Sequence, residues 1–143
     1  MRFWDSSAIV SLCVAEPRSP ASRDLVERDP GVAVWWATRT ECVSALTRRM
    51  REGEITAAGF RGARRVLANL AESWIELLPS EPIRVTAERM LAVHPLRAAD
   101  AFQLAAALAW CAGRPQGHGV VTFDARLRDA ANREGFDALP DAG

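Results

Sequence analysis

Four acidic residues stand at the starts of widely separated helical segments, and together they could bind a metal ion: Asp5, Glu41, Asp100 and Asp124. Asp5 follows the apolar run 2–4 and Asp124 follows the run 119–123. Both are therefore predicted at the carboxyl ends of strands, where α/β sheets bind ligands. Aspartate is also a preferred N-cap residue, so a purely structural role stays open for each of them.

Asp100 and Glu41 border apolar faces of predicted helices. Asp100 is spaced at i, i+4 and i+8 with Leu104 and Leu108, so its carboxylate shares an apolar stripe. Burial of an unpaired charge is costly, which favours a functional role, although Arg97 one turn earlier could form a salt bridge with it. Glu41 lies in the first turn of its helix, where the helix dipole alone also favours a glutamate.

Carboxylates gathered at one sheet edge would repel one another unless a cation joined them. The chain has 18 basic residues, all Arg, with 2 His and 3 Cys that lack the spacing of a zinc site. The expected cofactor is therefore Mg²⁺ or Mn²⁺, which prefer oxygen ligands and can activate water against a phosphodiester. The hydroxyls of Ser6 and Thr122 are expected to orient a carboxylate or a water.

Short strands that alternate with helices must position these acids. Strands are predicted at 2–4, 32–35, 74–78, 119–123 and 136–139, and helices at 6–16, 20–28, 38–51, 56–73, 83–93, 96–111 and 124–134. This alternation predicts one α/β domain over residues 1–143, with a mostly parallel sheet of short strands flanked by helices on both faces.

The composition is that of an ordinary globular domain, with 49% hydrophobic and 25% charged residues and a net charge of zero. No apolar stretch approaches the roughly 18 residues of a membrane helix, and Asp5 interrupts the N-terminal apolar run too early for a signal peptide. The odd number of scattered cysteines predicts buried thiols in a reducing compartment. We therefore expect a cytoplasmic protein without a membrane partner, with His94 and His118 in loops or at edges.

Four segments, each containing one of the acids, resemble the motifs of PIN-domain ribonucleases. They are 3–8 (FWDSSA), 40–42 (TEC), 96–101 (LRAADA) and 121–124 (VTFD). More narrowly, the chain resembles a VapC-type toxin of a type II toxin–antitoxin system, over its whole length and with the segments in the right order. One departure is Gln103, where many relatives carry His.

The resemblance implies a three-layer α/β/α PIN domain in which the four acids form the Mg²⁺ or Mn²⁺ site. It also implies an endoribonuclease that hydrolyses RNA phosphodiester bonds. The partners that it implies are an RNA substrate, a second copy in a homodimer, and a cognate VapB-like antitoxin whose tail covers the site. None of these partners follows from composition or spacing.

Two further features could contact RNA, and each has a structural alternative. One is a set of arginines in the middle of the chain, which could bind phosphates or simply solvate a helix face: Arg48, Arg49, Arg51, Arg61, Arg64 and Arg65. The other is the pair Trp35 and Trp36, which could stack on bases, although we expect at least one of them in the core.

Other enzyme classes that place an Asp after the first strand fit poorly. A haloacid-dehalogenase-like phosphatase needs a second Asp where Ser7 stands, and it also needs a Lys. P-loop nucleotidases and receiver domains need a Lys as well. The remaining alternative is a catalytically silent PIN-like binding or regulatory module, and the presence of all four acids argues against it.

Overall fold

The computed structural model describes residues 1–141 of the chain. Within these residues the elements run in the order β1 (Arg2–Trp4), α1 (Ser6–Cys13), α2 (Ser19–Arg28), β2 (Val32–Trp35), α3 (Thr38–Arg51), α4 (Ala57–Ser73), β3 (Ile75–Leu77), α5 (Glu81–Val93), α6 (Ala98–Trp110), β4 (Gly119–Val121), α7 (Ala125–Glu134) and β5 (Asp137–Leu139). The alternation of strands and helices agrees with the pattern predicted from the sequence.

The strands form one sheet in the order β3-β2-β1-β4-β5, with neighbouring strands parallel throughout the described residues. Parallel strands direct their carboxyl ends to one edge, so the segments that follow β2, β1 and β4 lie side by side at the centre of that edge. The predicted α/β fold with helices on both faces of a parallel sheet is confirmed.

Alternating strand residues build a separate apolar core on each face of the sheet. Phe3 and Val120 pack on one face with α5, α6 and α7. Their neighbours Trp4 and Val121 pack on the other face with α1, α3 and α4. Because successive side chains of a strand point to opposite faces, runs buried on both faces read as continuously apolar in the sequence.

Several predicted boundaries differ from the structure for local reasons. The first helix ends at Cys13 instead of near residue 16, because the Ser19 hydroxyl donates to the carbonyl of Val14 and accepts from the amide of Glu16. The helix predicted at 96–111 begins at Ala98, after the non-helical residue Arg97. Strand β4 is shorter than predicted, so residues 122 and 123 form the loop that leads to the helix α7.

His94 lies in the non-helical segment after α5, as predicted, but its burial was not predicted. Its ring is buried where α5 ends, and its Nε2 lies 2.7 Å from a carboxylate oxygen of Glu134 at the end of α7. This pairing joins residues that are 40 positions apart, so nothing local in the sequence predicts it. His118 lies before β4, as expected, with its ring edge-on to Trp110 at 5.2 Å.

The predicted burial of the cysteines is confirmed, since Cys13, Cys42 and Cys111 are buried free thiols. Trp35 is buried as well, whereas Trp36 is exposed. Over residues 1–141 we find no helix with the length and apolarity that crossing a bilayer requires.

Candidate active site

The four predicted acids occupy equivalent positions around the carboxyl edge of the sheet. Asp5 directly follows β1. Asp124 lies three residues beyond the end of β4, which is the strand next to β1. Glu41 lies in the first turn of α3, which follows β2 on the other side of β1, and Asp100 lies in the first turn of α6. The ends of β1 and β4 therefore position two of the acids, and the first turns of α3 and α6 position the other two.

Asp5 is the most enclosed of these acids, with only 3% of its surface exposed. Its Oδ1 accepts hydrogen bonds from the Ser7 hydroxyl at 2.7 Å and from the Ala8 amide at 3.1 Å. Its Oδ2 accepts from the Thr122 hydroxyl at 2.8 Å. These bonds fix the carboxylate without neutralising its charge.

Burial raises the pKa of Asp5 from 3.8 to about 6. The hydrogen bonds from Ser7 and Thr122 oppose this rise, and repulsion by Asp124 adds to it. The buried carboxylate is therefore less stable in its charged form than an exposed aspartate. A positive ion at this position would favour the charged form.

The remaining pKa shifts connect all four acids. The pKa of Glu41 is raised by burial and by repulsion from both Asp5 and Asp100. The pKa of Asp100 is raised by burial and by repulsion from Asp124, which also repels Asp5. The repulsions thus link Asp5, Asp124, Asp100 and Glu41 in a closed ring, so the structure brings the four acids into one electrostatic cluster.

Two hydroxyl groups hold the ends of β1 and β4 together around this cluster. The Thr122 hydroxyl donates to Asp5 and accepts from the backbone amide of Asp124 at 3.0 Å. The Ser7 hydroxyl also donates to Asp5, and it accepts from the backbone amide of Phe123 at 2.9 Å. The two acids are therefore positioned relative to each other by side chains as well as by the sheet.

Glu41 is held by Ser6 and Gln103. The Ser6 hydroxyl donates to its Oε2 at 3.1 Å, and the Nε2 of Gln103 donates to its Oε1 at 3.3 Å and to the Thr38 hydroxyl at 2.9 Å. The Oε1 of Gln103 is buried and has no hydrogen-bond partner within residues 1–141. Gln103, where the resemblance expects His, therefore ties α6 to the glutamate of α3.

Ser6 and Thr122 are the orienting hydroxyls predicted from the sequence, and both contact acids of the cluster. The contacts of Ser7, Thr38 and Gln103 were not predicted. Ser7 had a usable signal, because a hydroxyl two residues after an N-cap aspartate can reach its carboxylate. Gln103 lies on the buried side of α6, one turn after Asp100, but its partner Glu41 could not be identified from a single sequence.

Asp5 and Asp124 are helix N-caps and are also members of the acidic cluster, so the two roles predicted for them do not exclude each other. Asp5 caps α1 through Ala8, and Oδ1 of Asp124 caps α7 by accepting from the Leu127 amide at 2.8 Å. The salt-bridge alternative for Asp100 is different. No ion pair within 4.0 Å involves Asp100 in the part of the chain that the structure describes, and Arg97 only lowers its pKa.

The chemistry of this cluster fits a hard divalent cation, because its side chains offer carboxylate and hydroxyl oxygens. In the conformation described for residues 1–141, however, no three Asp, Glu, His or Cys side chains form a ready metal-binding group. Hydrogen bonds to hydroxyl groups and helix amides hold oxygens of Asp5, Glu41 and Asp124. In this conformation these oxygens therefore accept hydrogen bonds from the protein itself.

Basic residues lie close to the cluster on its α1 side. A cleft of about 250 Å³ is lined by Ser6, Ser7, Arg18 and Arg48, and also by Arg49, which pairs with Glu16 at 2.7 Å. Of the six arginines in the middle of the chain, Arg48 and Arg49 line this cleft and Arg64 lines another. The other three are exposed on α3 and α4, as the solvated-face alternative expects: Arg51, Arg61 and Arg65.

Comparison with known proteins gives a family and several structural relatives. The family model of the PIN domain matches residues 2–133. VapC20 of Mycobacterium tuberculosis, described as a toxin that cleaves the sarcin–ricin loop, has 19% identity and a TM-score of 0.68, with 91% of this chain and 95% of that chain covered. PAE2754 from Pyrobaculum aerophilum has 20% identity and a TM-score of 0.65, with 96% of this chain and 88% of that chain covered.

FitAcB from Neisseria gonorrhoeae has 14% identity and a TM-score of 0.64, covering 98% of this chain and 97% of that chain. At these identities the likeness to solved structures shows the fold alone. No curated protein sequence matches the chain.

Proposed function

The chain belongs to the PIN-domain family, and on that basis we propose that it is a Mg²⁺- or Mn²⁺-dependent ribonuclease that acts as the toxin of a toxin–antitoxin pair. The observation that carries this proposal is the gathering of four acids at one sheet edge, where hydrogen bonds tie Asp5 to the end of β4 and Glu41 to α1 and α6. Within residues 1–141 no ion pair neutralises any of the four carboxylates, although Arg97 and Arg126 lower the pKa of Asp100, so the cluster is suited to bind a divalent cation.

Asp5, Glu41, Asp100 and Asp124 would hold the ion. When bound, it would polarise the phosphodiester and lower the pKa of the attacking water. The chain's own contribution is positional. Thr122 and Ser7 fix the buried Asp5, while the half-buried Glu41, Asp100 and Asp124 leave the site open to a substrate from solvent.

Ser6 and Gln103 hold Glu41 from opposite sides, one from α1 and the other from α6. This arrangement keeps the carboxylate of α3 turned toward Asp5 and Asp100, which both repel it. Arg18 and Arg48 line the cleft beside Ser6 and Ser7, and in this proposal they would contact phosphates of the RNA.

RNA as the substrate is supported by the resemblance and by the description of VapC20 as a toxin that cleaves the sarcin–ricin loop. The resemblance also supports a homodimer and a cognate VapB-like antitoxin that covers the acids. The alternative is a catalytically silent PIN-like module that binds a partner. Retention of all four acids in one cluster favours the nuclease.

We predict that the purified protein cleaves end-labelled ribosomal RNA in millimolar Mg²⁺ or Mn²⁺, because the carboxylate cluster needs a cation to act on a phosphodiester. EDTA should stop cleavage, and excess Mg²⁺ should restore it. Gel analysis of the labelled RNA measures both effects, and the Asp5→Asn protein prepared in parallel controls for contaminating nucleases. Cleavage that is insensitive to EDTA would contradict the proposed mechanism, and no cleavage with either metal would favour the silent module.

A further inference from the structure

Trp36 is a large apolar side chain that the fold leaves exposed next to the acidic cluster. Its exposed fraction is 53%, although the preceding residue, Trp35, is buried. Trp36 directly follows β2, so it lies at the same sheet edge as the four acids. Its backbone amide donates to the carbonyl of Leu77 at 3.0 Å, which fixes the backbone from which the indole projects.

One side of Trp36 borders a cleft with mainly apolar walls. The cleft has a volume of about 450 Å³, within the range typical of small-ligand sites. The rings of Trp35 and Phe102 contribute to its lining and stack on each other at a centroid distance of 5.4 Å, with an interplanar angle of 1°. This side of Trp36 therefore offers a rigid aromatic surface.

Trp36 also borders a second, more polar cleft of about 400 Å³, which Arg39, Arg64 and Glu76 help to line. Within residues 1–141 neither arginine forms an ion pair, and the guanidinium of Arg64 lies over the Phe60 ring, 5.9 Å from its centroid. Glu76 accepts a hydrogen bond from the Trp74 indole at 3.2 Å. The cleft therefore has a net positive charge.

Both clefts lie close to the acids along the chain and through contacts. Thr40, which lines the positive cleft, immediately precedes Glu41. Phe102, which lines the apolar cleft, immediately precedes Gln103, and Gln103 donates to Glu41. Trp36 directly follows β2 and Asp5 directly follows the neighbouring strand β1, so both residues lie at the carboxyl edge of the sheet.

We propose that Trp36 stacks on an unpaired nucleobase of an RNA strand next to the cleaved phosphodiester, while Arg39 and Arg64 contact the adjacent phosphates. This inference rests on the proposed function for its substrate class. Aromatic side chains in a positively charged groove are the combination that single-stranded nucleic acids bind. Because bases inside a duplex are already stacked, the site selects loops and single strands over duplex RNA.

The test measures RNA binding in EDTA, so that cleavage does not interfere. The probe is a short fluorescein-labelled single-stranded RNA of mixed sequence, and its anisotropy is followed as protein is added. Trp36→Ala should weaken binding roughly 5- to 100-fold, because a stacking residue contributes that much per base. Trp36→Phe should retain most of the affinity, because it keeps an aromatic face.

The matched control is Val85→Ala, which truncates a side chain of similar exposure, 57%, on α5. It should leave the affinity unchanged. Arg39→Gln should weaken binding and reduce its salt dependence, as expected for a lost phosphate contact. Circular dichroism and gel filtration of each variant verify folding and oligomeric state.

Equal affinity of the wild type and Trp36→Ala would overturn the inference, as would equal binding of duplex RNA or no RNA binding at all. It would also be overturned if Trp36→Ala dissociated a dimer without changing RNA affinity, since Trp36 would then contact a second copy. Trp36-dependent RNA binding without cleavage in any metal would refute the nuclease and retain this site. Metal-dependent cleavage with RNA affinity that does not depend on Trp36 would support the nuclease and refute the Trp36 site.

Discussion

Replacing Asp5 with asparagine is expected to reduce RNA cleavage about 10²- to 10⁴-fold, which corresponds to the loss of several kcal/mol of transition-state stabilisation. Asparagine retains an oxygen that can accept from Ala8 and Ser7, so α1 stays capped. The substitution removes the charge that a cation would need, and it also replaces the acceptor of the Thr122 hydroxyl by an amide donor. Asp100→Asn should have a similar effect, because Asp100 has no ion-pair partner in the described residues. Repulsion by Asp124 also raises its pKa, as expected for a member of the cluster.

Initial rates on the same RNA measure the loss, and growth after induced expression measures the loss of toxicity. Asp129→Asn is the matched control, since Asp129 is an exposed acid on α7 that pairs with Arg133 at 3.0 Å, outside the cluster. It should cleave RNA at the wild-type rate. Full activity of both Asp5→Asn and Asp100→Asn would show that the cluster is structural and that another site cleaves RNA.

The same substitution at Asp5 should make the metal-free protein more stable above pH 7. The pKa of Asp5 is about 6 in the folded chain and near 3.8 when unfolded, so the folded state binds a proton more tightly. Ionised Asp5 therefore destabilises the folded state above pH 6, on the order of 3 kcal/mol, and the penalty disappears as the pH falls toward 3.8. Allowing for imperfect hydrogen bonds, Asp5→Asn should gain about 1–3 kcal/mol at pH 8 and nothing near pH 4.

Urea denaturation in EDTA at a series of pH values measures this difference. Asp29→Asn is a control of opposite sign, because the N-terminal amino group holds the pKa of Asp29 below its usual value. It should destabilise the protein at neutral pH, and its effect should fade as acid protonates Asp29. A large loss of metal-free stability in Asp5→Asn at pH 8 would indicate that Asp5 serves the fold as a cap.

Part of the arrangement of the acids could be predicted from sequence, because it follows from where the strands of a parallel sheet end. Asp5 and Asp124 each come after an apolar run, and parallel strands place their carboxyl ends together. Asp100 was identified because a carboxylate within an apolar stripe needs an explanation. Its half-buried position, with its pKa raised mainly by burial, agrees with that reasoning.

The supporting contacts could not be predicted, because they join elements that are far apart in the chain. Gln103 reaches Glu41 across 62 positions, and His94 reaches Glu134 across 40 positions. A single sequence carries no signal of such pairs. Their formation depends on how α6 packs beside α3 and how α5 meets α7, which the period of apolar residues does not specify.

The structure also resolves an apparent conflict between two interpretations of the aspartates. An N-cap bond engages one carboxylate oxygen, as the bonds of Asp124 to Leu127 and of Asp5 to Ala8 illustrate. The second oxygen of Asp124 remains available, and that of Asp5 is oriented by the Thr122 hydroxyl. Capping and metal binding are therefore compatible, because the cap anchors the group that a cation would meet.

Calorimetric titration of the metal-free protein with Mn²⁺ tests the central claim most directly, since it measures cation binding without any assumption about the RNA. We expect saturable binding that EDTA reverses and that the double substitution Asp5→Asn with Asp100→Asn weakens about tenfold or more. Asp129→Asn should bind Mn²⁺ like the wild type. Absence of saturable Mn²⁺ binding, or equal affinity in the double variant, would contradict a metal site formed by these carboxylates.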